Sequence, residues 1–274
     1  MARPMWFVNL LKKSFGLRYI GAEMTKWPVI GQVMERALFN GHRNGDVLFY
    51  LPKDRVIIGE DIDDQENIVA PSEVVAHFIQ EATHIFLMHG CICREAATCQ
   101  DYDHNIGCIF LGEAVLEINP KLGRLVDKET ALAHLAHARE AGLVHLIGRD
   151  KIDAVWMGVK PYTKLMTVCN CCPCCCLFRF LPNLAPKLQK KIERMPGVVI
   201  EVTENCLGCG TCTDGVCFIN AIHLENGRAH FSEECRGCGN CVEVCPEGAI
   251  RVLIEQQDYI DNAIQRLAEA VDVG

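Results

Sequence analysis

The chain lacks the long hydrophobic run of a membrane span: no apolar stretch in its 274 residues approaches the roughly twenty that a spanning helix needs. Its opening, MARPMWFVNLLKKSFGLRYI, places a short apolar run before the lysines, the wrong order for a secretory signal. Walker loops, a Gly-x-Gly-x-x-Gly after a strand and Ser-His-Asp arrangements are absent, so no motif points to nucleotide binding or hydrolysis. Basic residues are scarce at one end. From Gly197 onward four of them stand against thirteen acidic residues, whereas the remainder is nearly balanced at twenty-three to twenty-two. With a net charge of −8, nothing argues for nucleic acid, and the acidic end suits steering onto a basic protein partner.

What the chain has in excess is cysteine, eighteen in all. Secreted disulfide scaffolds of such density are usually short, so a chain of this length without an export signal is expected in a reducing cytoplasm. The length allows two domains, and Pro196-Gly197 marks the expected boundary between units 1–196 and 197–274. The first helix is expected to pack its Trp6, Phe7, Leu10 and Leu11 side on the protein; lying on a membrane or partner is the alternative.

Eight of the cysteines form a doubled pattern. Cys206, Cys209 and Cys212 stand in CLGCGTC with Cys217 following; Cys235, Cys238 and Cys241 stand in CRGCGNC with Cys245 following in VEVCP. Two-residue gaps curl a backbone so that three thiols converge, and Gly208, Gly210, Gly237 and Gly239 permit the close approach. Two such runs offer more thiolates than tetrahedral zinc needs, and disulfides would not need the spacing. The segment from Gly197 to about Glu255 resembles the bacterial dicluster ferredoxin module, whose run is Cys-x2-Cys-x2-Cys-x3-Cys-Pro. The resemblance implies two [4Fe–4S] clusters in a pseudo-symmetric α+β fold with crossed ligation. One cluster would take Cys206, Cys209, Cys212 and Cys245, the other Cys235, Cys238, Cys241 and Cys217. The chain departs from the pattern in the four-residue gap before Cys217 and in Phe218, where the family often has proline.

Ten further cysteines fall in two groups: Cys91, Cys93, Cys99 and Cys108, then Cys169, Cys171, Cys172, Cys174, Cys175 and Cys176 in CNCCPCCC. This CxCR…CNCCxCCC pairing, from about Pro71 to Arg179, resembles an N-terminal domain that accompanies dicluster ferredoxins in anaerobe proteins, and implies redox metal chemistry. In extended chain Cys172, Cys174 and Cys176 share a face; in a helix opened by Pro173, Cys172 pairs with Cys175 and Cys176. Either way one segment cannot present six thiolates to one centre. One or two further [4Fe–4S] clusters are expected, with zinc as the alternative. Arg94 beside Cys93 is expected either to hydrogen-bond a cluster or thiolate or to make a surface salt bridge.

The remaining pattern reads as α+β. Pro28 opens a helix closed by Gly41, Asp46–Leu51 and Arg55–Ile58 read as strands, and Pro71-Ser72-Glu73 opens an amphipathic helix presenting Val74, Val75, Phe78 and Ile79. Asp127 caps a helix followed by two strands, an order that is winged-helix-like in part; Leu184 to Met195 reads as a basic helical connector. Asn226-Gly227 is a hairpin signal. His134 and His137 are expected on a helix surface rather than on a metal, and His84, His89, His104 and His145 have no stronger claim. The function expected is low-potential electron transfer, at roughly −400 mV, by a polyferredoxin serving an anaerobic oxidoreductase. The alternative is a reductase whose N-terminal cysteine-bound cluster is a substrate site fed by the ferredoxin end. Catalytic residues cannot be named from the sequence.

Overall fold

The computed structural model describes residues 2–39, 47–54, 56–58, 68–255 and 258–274. Gly41, Asp46 and Arg55, named above as element boundaries, lie outside them. Thirteen strands are described: β1 Val47–Tyr50, β2 Val56–Ile58, β3 Ile68–Val69, β4 Ile85–Met88, β5 Ile109–Leu111, β6 Gly123–Leu125, β7 Val144–Arg149, β8 Met166–Cys171, β9 Ile192–Arg194, β10 Val198–Val202, β11 Ile222–Glu225, β12 Arg228–Phe231 and β13 Ile250–Ile254. They form a seven-stranded sheet in the order β6-β4-β5-β8-β7-β1-β9, a four-stranded sheet β10-β13-β2-β3, and the hairpin β11-β12. With helices alongside, the chain is α+β.

Local signals account for several elements. Asp127 accepts a hydrogen bond from the Thr130 amide at 2.8 Å and so caps the helix Lys128–Glu140. Pro28 opens the helix Pro28–Leu38, where a missing N–H costs nothing. In the helix Ser72–Glu81 the buried stripe is Val74, Val75, Phe78 and Ile79, spaced so that one face turns inward. Asn226 and Gly227 both take positive φ, 49° and 75°, as the two-residue turn between β11 and β12 requires.

Other elements follow tertiary pairing rather than local pattern. The basic stretch 184–195 is not one helix: only Pro186–Gln189 is helical, and Ile192–Arg194 leaves as a strand. Ile192 is buried there and β9 runs parallel to β1, so sheet hydrogen bonds replace helical ones. The strands after the Asp127 helix, β7 and β8, lie in the middle of the large sheet and do not stand out as a two-stranded wing. The first helix, Met5–Lys13, docks through Val8, which is fully buried, and through a Lys12–Glu95 ion pair. Trp6 and Leu10 point outward at 67% and 54% exposure, while Phe7 and Leu11 are half-buried, so only part of the expected face turns inward.

One core draws side chains from both sides of Gly197. Phe49, Val75, Ile79 and Ile147 pack with Val252, Ile254, Tyr259 and Leu267. The parallel β13–β2 pairing joins the same two regions through backbone bonds. Among the described residues no helix is long and apolar enough to cross a membrane.

Candidate metal centres

In the C-terminal segment the cysteine loops repeat almost residue for residue. Gly208 and Gly210 have φ of 67° and 81°, Gly237 and Gly239 have 68° and 84°, and each loop runs into a short helical turn, Thr211–Thr213 or Asn240–Val244. At Gly208 a side chain has no room, since a Cβ would stand 2.1 Å from the Gly227 carbonyl oxygen. The hairpin turn therefore leans on the first cysteine loop.

Cys206, Cys209, Cys212 and Cys245 line one small hollow. Cys217, Cys235, Cys238 and Cys241 line a second. Backbone amides aim at the sulfurs: Ala221 at Cys217 (3.2 Å) and Ala249 at Cys245 (3.3 Å), each four residues on. Ala229 donates to Cys206 at 3.3 Å and Gly237 to Cys235 at 3.4 Å. Burial pushes Cys238 up to about 12 and Cys241 higher still, so these thiols stay protonated unless a metal ion takes the proton's place. Donor amides around converging sulfurs fit a thiolate-bound cluster, because they compensate negative charge carried into a buried site.

The N-terminal cysteines meet through the large sheet. β5 runs antiparallel to β8 with Ile109 opposite Val168, which sets Cys108 beside Cys169. Their sulfurs are 3.6 Å apart. β4 pairs with β5 and leads into the helix Ile92–Ala96, bringing Cys91 and Cys93 to the same end. Cys169 and Cys171 share a strand face by the two-residue repeat, and Cys176 returns to within 3.4 Å of Cys171. These six thiols, together with Cys172, line a cavity of about 280 Å³ whose walls include Leu11, Phe15, Met88, Trp156 and Phe178.

Arg18, Arg94, Asp150 and Asp153 border this cavity, and two of them, Arg94 and Asp153, bear most on its chemistry. Arg94, fully buried, donates to the carbonyls of Asn170 (2.9 Å) and Ile106, which excludes the surface salt bridge. Its Nε has no hydrogen-bond partner. Burial opposes its charge, but the thiols of Cys91 and Cys172 more than offset that and hold the guanidinium protonated. A hydrogen bond from Cys93 lowers Cys91 to about 7 against the effect of burial, with Arg94 assisting. Hydrogen bonds from Cys169 and Cys176 lower Cys171 well below the usual thiol range. A buried cation with an unused donor beside thiols inclined to ionise fits an anionic, thiolate-bound group. The second group, Asp153, accepts from Trp156 Nε1 (2.7 Å) and Thr167 (2.9 Å), and burial raises its pKa. Sequence reading missed it. In DKIDAVW it looks like an ordinary first-turn carboxylate, and only the fold turns it inward.

The other four N-terminal thiols gather at a second point, with Cys172 also reaching the cavity wall. After β8 the chain forms neither extended strand nor helix at 173–175 but a turn. Cys172, Cys174 and Cys175 thereby face Cys99, all four sulfurs lying within 4.8 Å of one another. The histidines serve hydrogen bonds: His134 with the Gly107 carbonyl (2.9 Å), His104 with that of Cys99 (2.7 Å), His145 with Asn170 Oδ1 (2.9 Å).

No curated protein and no solved structure matches the chain. A family model described as a 4Fe-4S binding domain matches residues 230–251, the stretch holding Cys235, Cys238, Cys241 and Cys245, and gives this part of the chain an iron–sulfur, electron-transfer role.

Proposed function

We propose that the protein is a low-potential polyferredoxin, a subunit or partner of an anaerobic cytoplasmic oxidoreductase. The observation that carries this reading is the pair of C-terminal hollows, each lined by the first three cysteines of one run and the last of the other. Cys206, Cys209, Cys212 and Cys245 would hold one [4Fe–4S] cluster; Cys235, Cys238, Cys241 and Cys217 would hold the second. Such clusters, when bound, accept and release single electrons at low potential. The chain's own contribution is the set of amides from Ala221, Ala229, Gly237 and Ala249, which stabilise negative charge at the sulfurs. Cys209 is exposed, so the site of Cys206, Cys209, Cys212 and Cys245 would offer a partner an approach at the surface. The acidic excess after Gly197 would steer a basic redox partner onto this face. Units 1–196 and 197–274 would work as one body through their shared core, with a further cluster in the six-thiol cavity.

A second reading, a reductase, is favoured by that cavity itself. Its apolar walls, its half-buried carboxyl at Asp153 and its volume leave room for a small substrate next to a thiolate-bound group. Asp153 would then hold a proton close to the reacting centre.

Anaerobic purification with iron and sulfide counting tests the leading reading. About eight irons and eight sulfides is the minimum it requires, and about twelve follows if the cavity is filled as well. Clearly fewer than about eight irons per chain in protein with native helix content would overturn it.

A further inference from the structure

We propose that Cys99, Cys172, Cys174 and Cys175 form a separate mononuclear site, holding one divalent ion, zinc by preference, in a tetrahedral shell of four thiolates. The inference stands independently of the electron-transfer reading, because Cys99, Cys174 and Cys175 line neither the cavity nor the C-terminal hollows, and only Cys172 reaches the cavity wall as well.

Spacing carries the argument. A single zinc ion binds thiolates at about 2.3 Å, so the edges of its tetrahedron measure about 3.8 Å. Here Cys99 and Cys174 have their sulfurs 3.5 Å apart, and all four lie within 4.8 Å of one another. In a cubane each thiolate binds its own iron, so four ligands are spread more widely than around one ion; single pairs as close as 3.4 and 3.6 Å also occur in the six-thiol cavity, and it is the convergence of all four sulfurs that marks this quartet. The contrast is internal to the molecule: among the described residues, no three of the eight C-terminal cysteines draw together as closely as this quartet. A disulfide is no substitute, since its bond is near 2.05 Å.

The surroundings suit a closed, structural site. Cys99, Cys172 and Cys175 are buried, and Ile106, Ala138 and Leu143 pack around them. Supporting bonds hold both halves of the shell in place. His104 bonds the Cys99 carbonyl, and Arg179 donates to the carbonyl of Pro173. Thr98, in the left-handed region at φ 49°, turns the chain so that Cys99 faces the other three. The ion would therefore clasp two segments 75 residues apart in sequence. Closing so long a loop is the work of a structural metal, and loading would release the thiol protons to solvent. One-residue and zero-residue gaps in Cys172-x-Cys174-Cys175 differ from the longer spacings of common zinc motifs, which is why the sequence alone does not announce the site.

The test uses the full chain, expressed with zinc supplemented and purified anaerobically. Metal counting and X-ray absorption at the zinc edge are compared between the native protein and the Cys99→Ser/Cys174→Ser double variant. We expect about one zinc per chain, surrounded by four sulfurs at about 2.3 Å and no neighbouring metal. The double variant should lose that ion while keeping its C-terminal iron–sulfur EPR signal, which also reports that it folds. If iron competes for the site, the same shell should appear as a single ferrous or ferric ion without sulfide, and this too supports the mononuclear assignment. A metal neighbour in the absorption data that disappears in the double variant would overturn it in favour of a cluster. So would full retention of zinc in the double variant, or the absence of any zinc or sulfide-free iron from the native protein.

Discussion

Cys108 and Cys169, 61 residues apart in the chain, hold their sulfurs 3.6 Å from each other across the β5–β8 pairing. Their closeness follows from strand register alone, because any shift by one residue would turn one thiol to the opposite face of the sheet. If the six-thiol cavity holds a cluster, Cys108→Ser and Cys169→Ser should each remove about four irons per chain and leave the C-terminal EPR signal intact. Iron counting on both variants checks this, and unchanged iron in either would remove Cys108 or Cys169 from the ligand set.

Arg94 fixes the floor of the same cavity through the carbonyls of Asn170 and Ile106. Arg94→Met keeps most of the side-chain volume but leaves those carbonyls without a donor. It should cost about 2–4 kcal/mol in unfolding free energy, measured by denaturant titration. It should also weaken metal retention in the N-terminal region more than in the C-terminal one. A loss of less than about 0.5 kcal/mol would show that water replaces the guanidinium.

Two glycines with similar backbone angles should respond differently. Gly208 (φ 67°) is pressed against the Gly227 carbonyl, whereas Gly215 (φ 69°) has open space around its Cα. Gly215→Ala should cost only the left-handed strain of about 1–2 kcal/mol. Gly208→Ala must also displace the hairpin turn, and should disturb the site of Cys206, Cys209 and Cys212. The EPR spectra of the two variants compare them directly; equal, mild effects would contradict the packing described.

Much of this was legible in the residues, and the reasons for the remainder are physical. Asp127, Pro28 and Asn226-Gly227 act within a few positions, so their helices and hairpin can be read locally. The doubled C-terminal run encodes its own loop geometry in the same way. The division of the ten N-terminal cysteines cannot be read locally, because it depends on β5 meeting β8 and on a turn at Pro173 that neither strand nor helix spacing anticipates. Residues 184–195 carry a helical charge pattern but are drawn into a strand by β1. Asp153 and the outward side of Trp6 likewise become visible only once neighbouring elements are in place.

The acidic C-terminal segment predicts salt-sensitive docking. Exposed charges are screened over about 8–10 Å at moderate salt, so the association rate with a redox partner should fall steeply as ionic strength rises. Stopped-flow electron transfer measured across a salt series checks it. A flat rate would mean that the acidic surface merely faces solvent.

The most direct test of the central claim is EPR spectroscopy of the full, anaerobically purified chain, reduced chemically and titrated with potential. The account predicts signals of reduced [4Fe–4S] clusters from two neighbouring centres, broadened by their mutual interaction and developing at low potential. Cys217→Ser should remove the cluster held by Cys235, Cys238 and Cys241, not the one held by Cys206, Cys209 and Cys212. No iron–sulfur signal at any potential, or loss of the Cys206-bound cluster in Cys217→Ser, would contradict it.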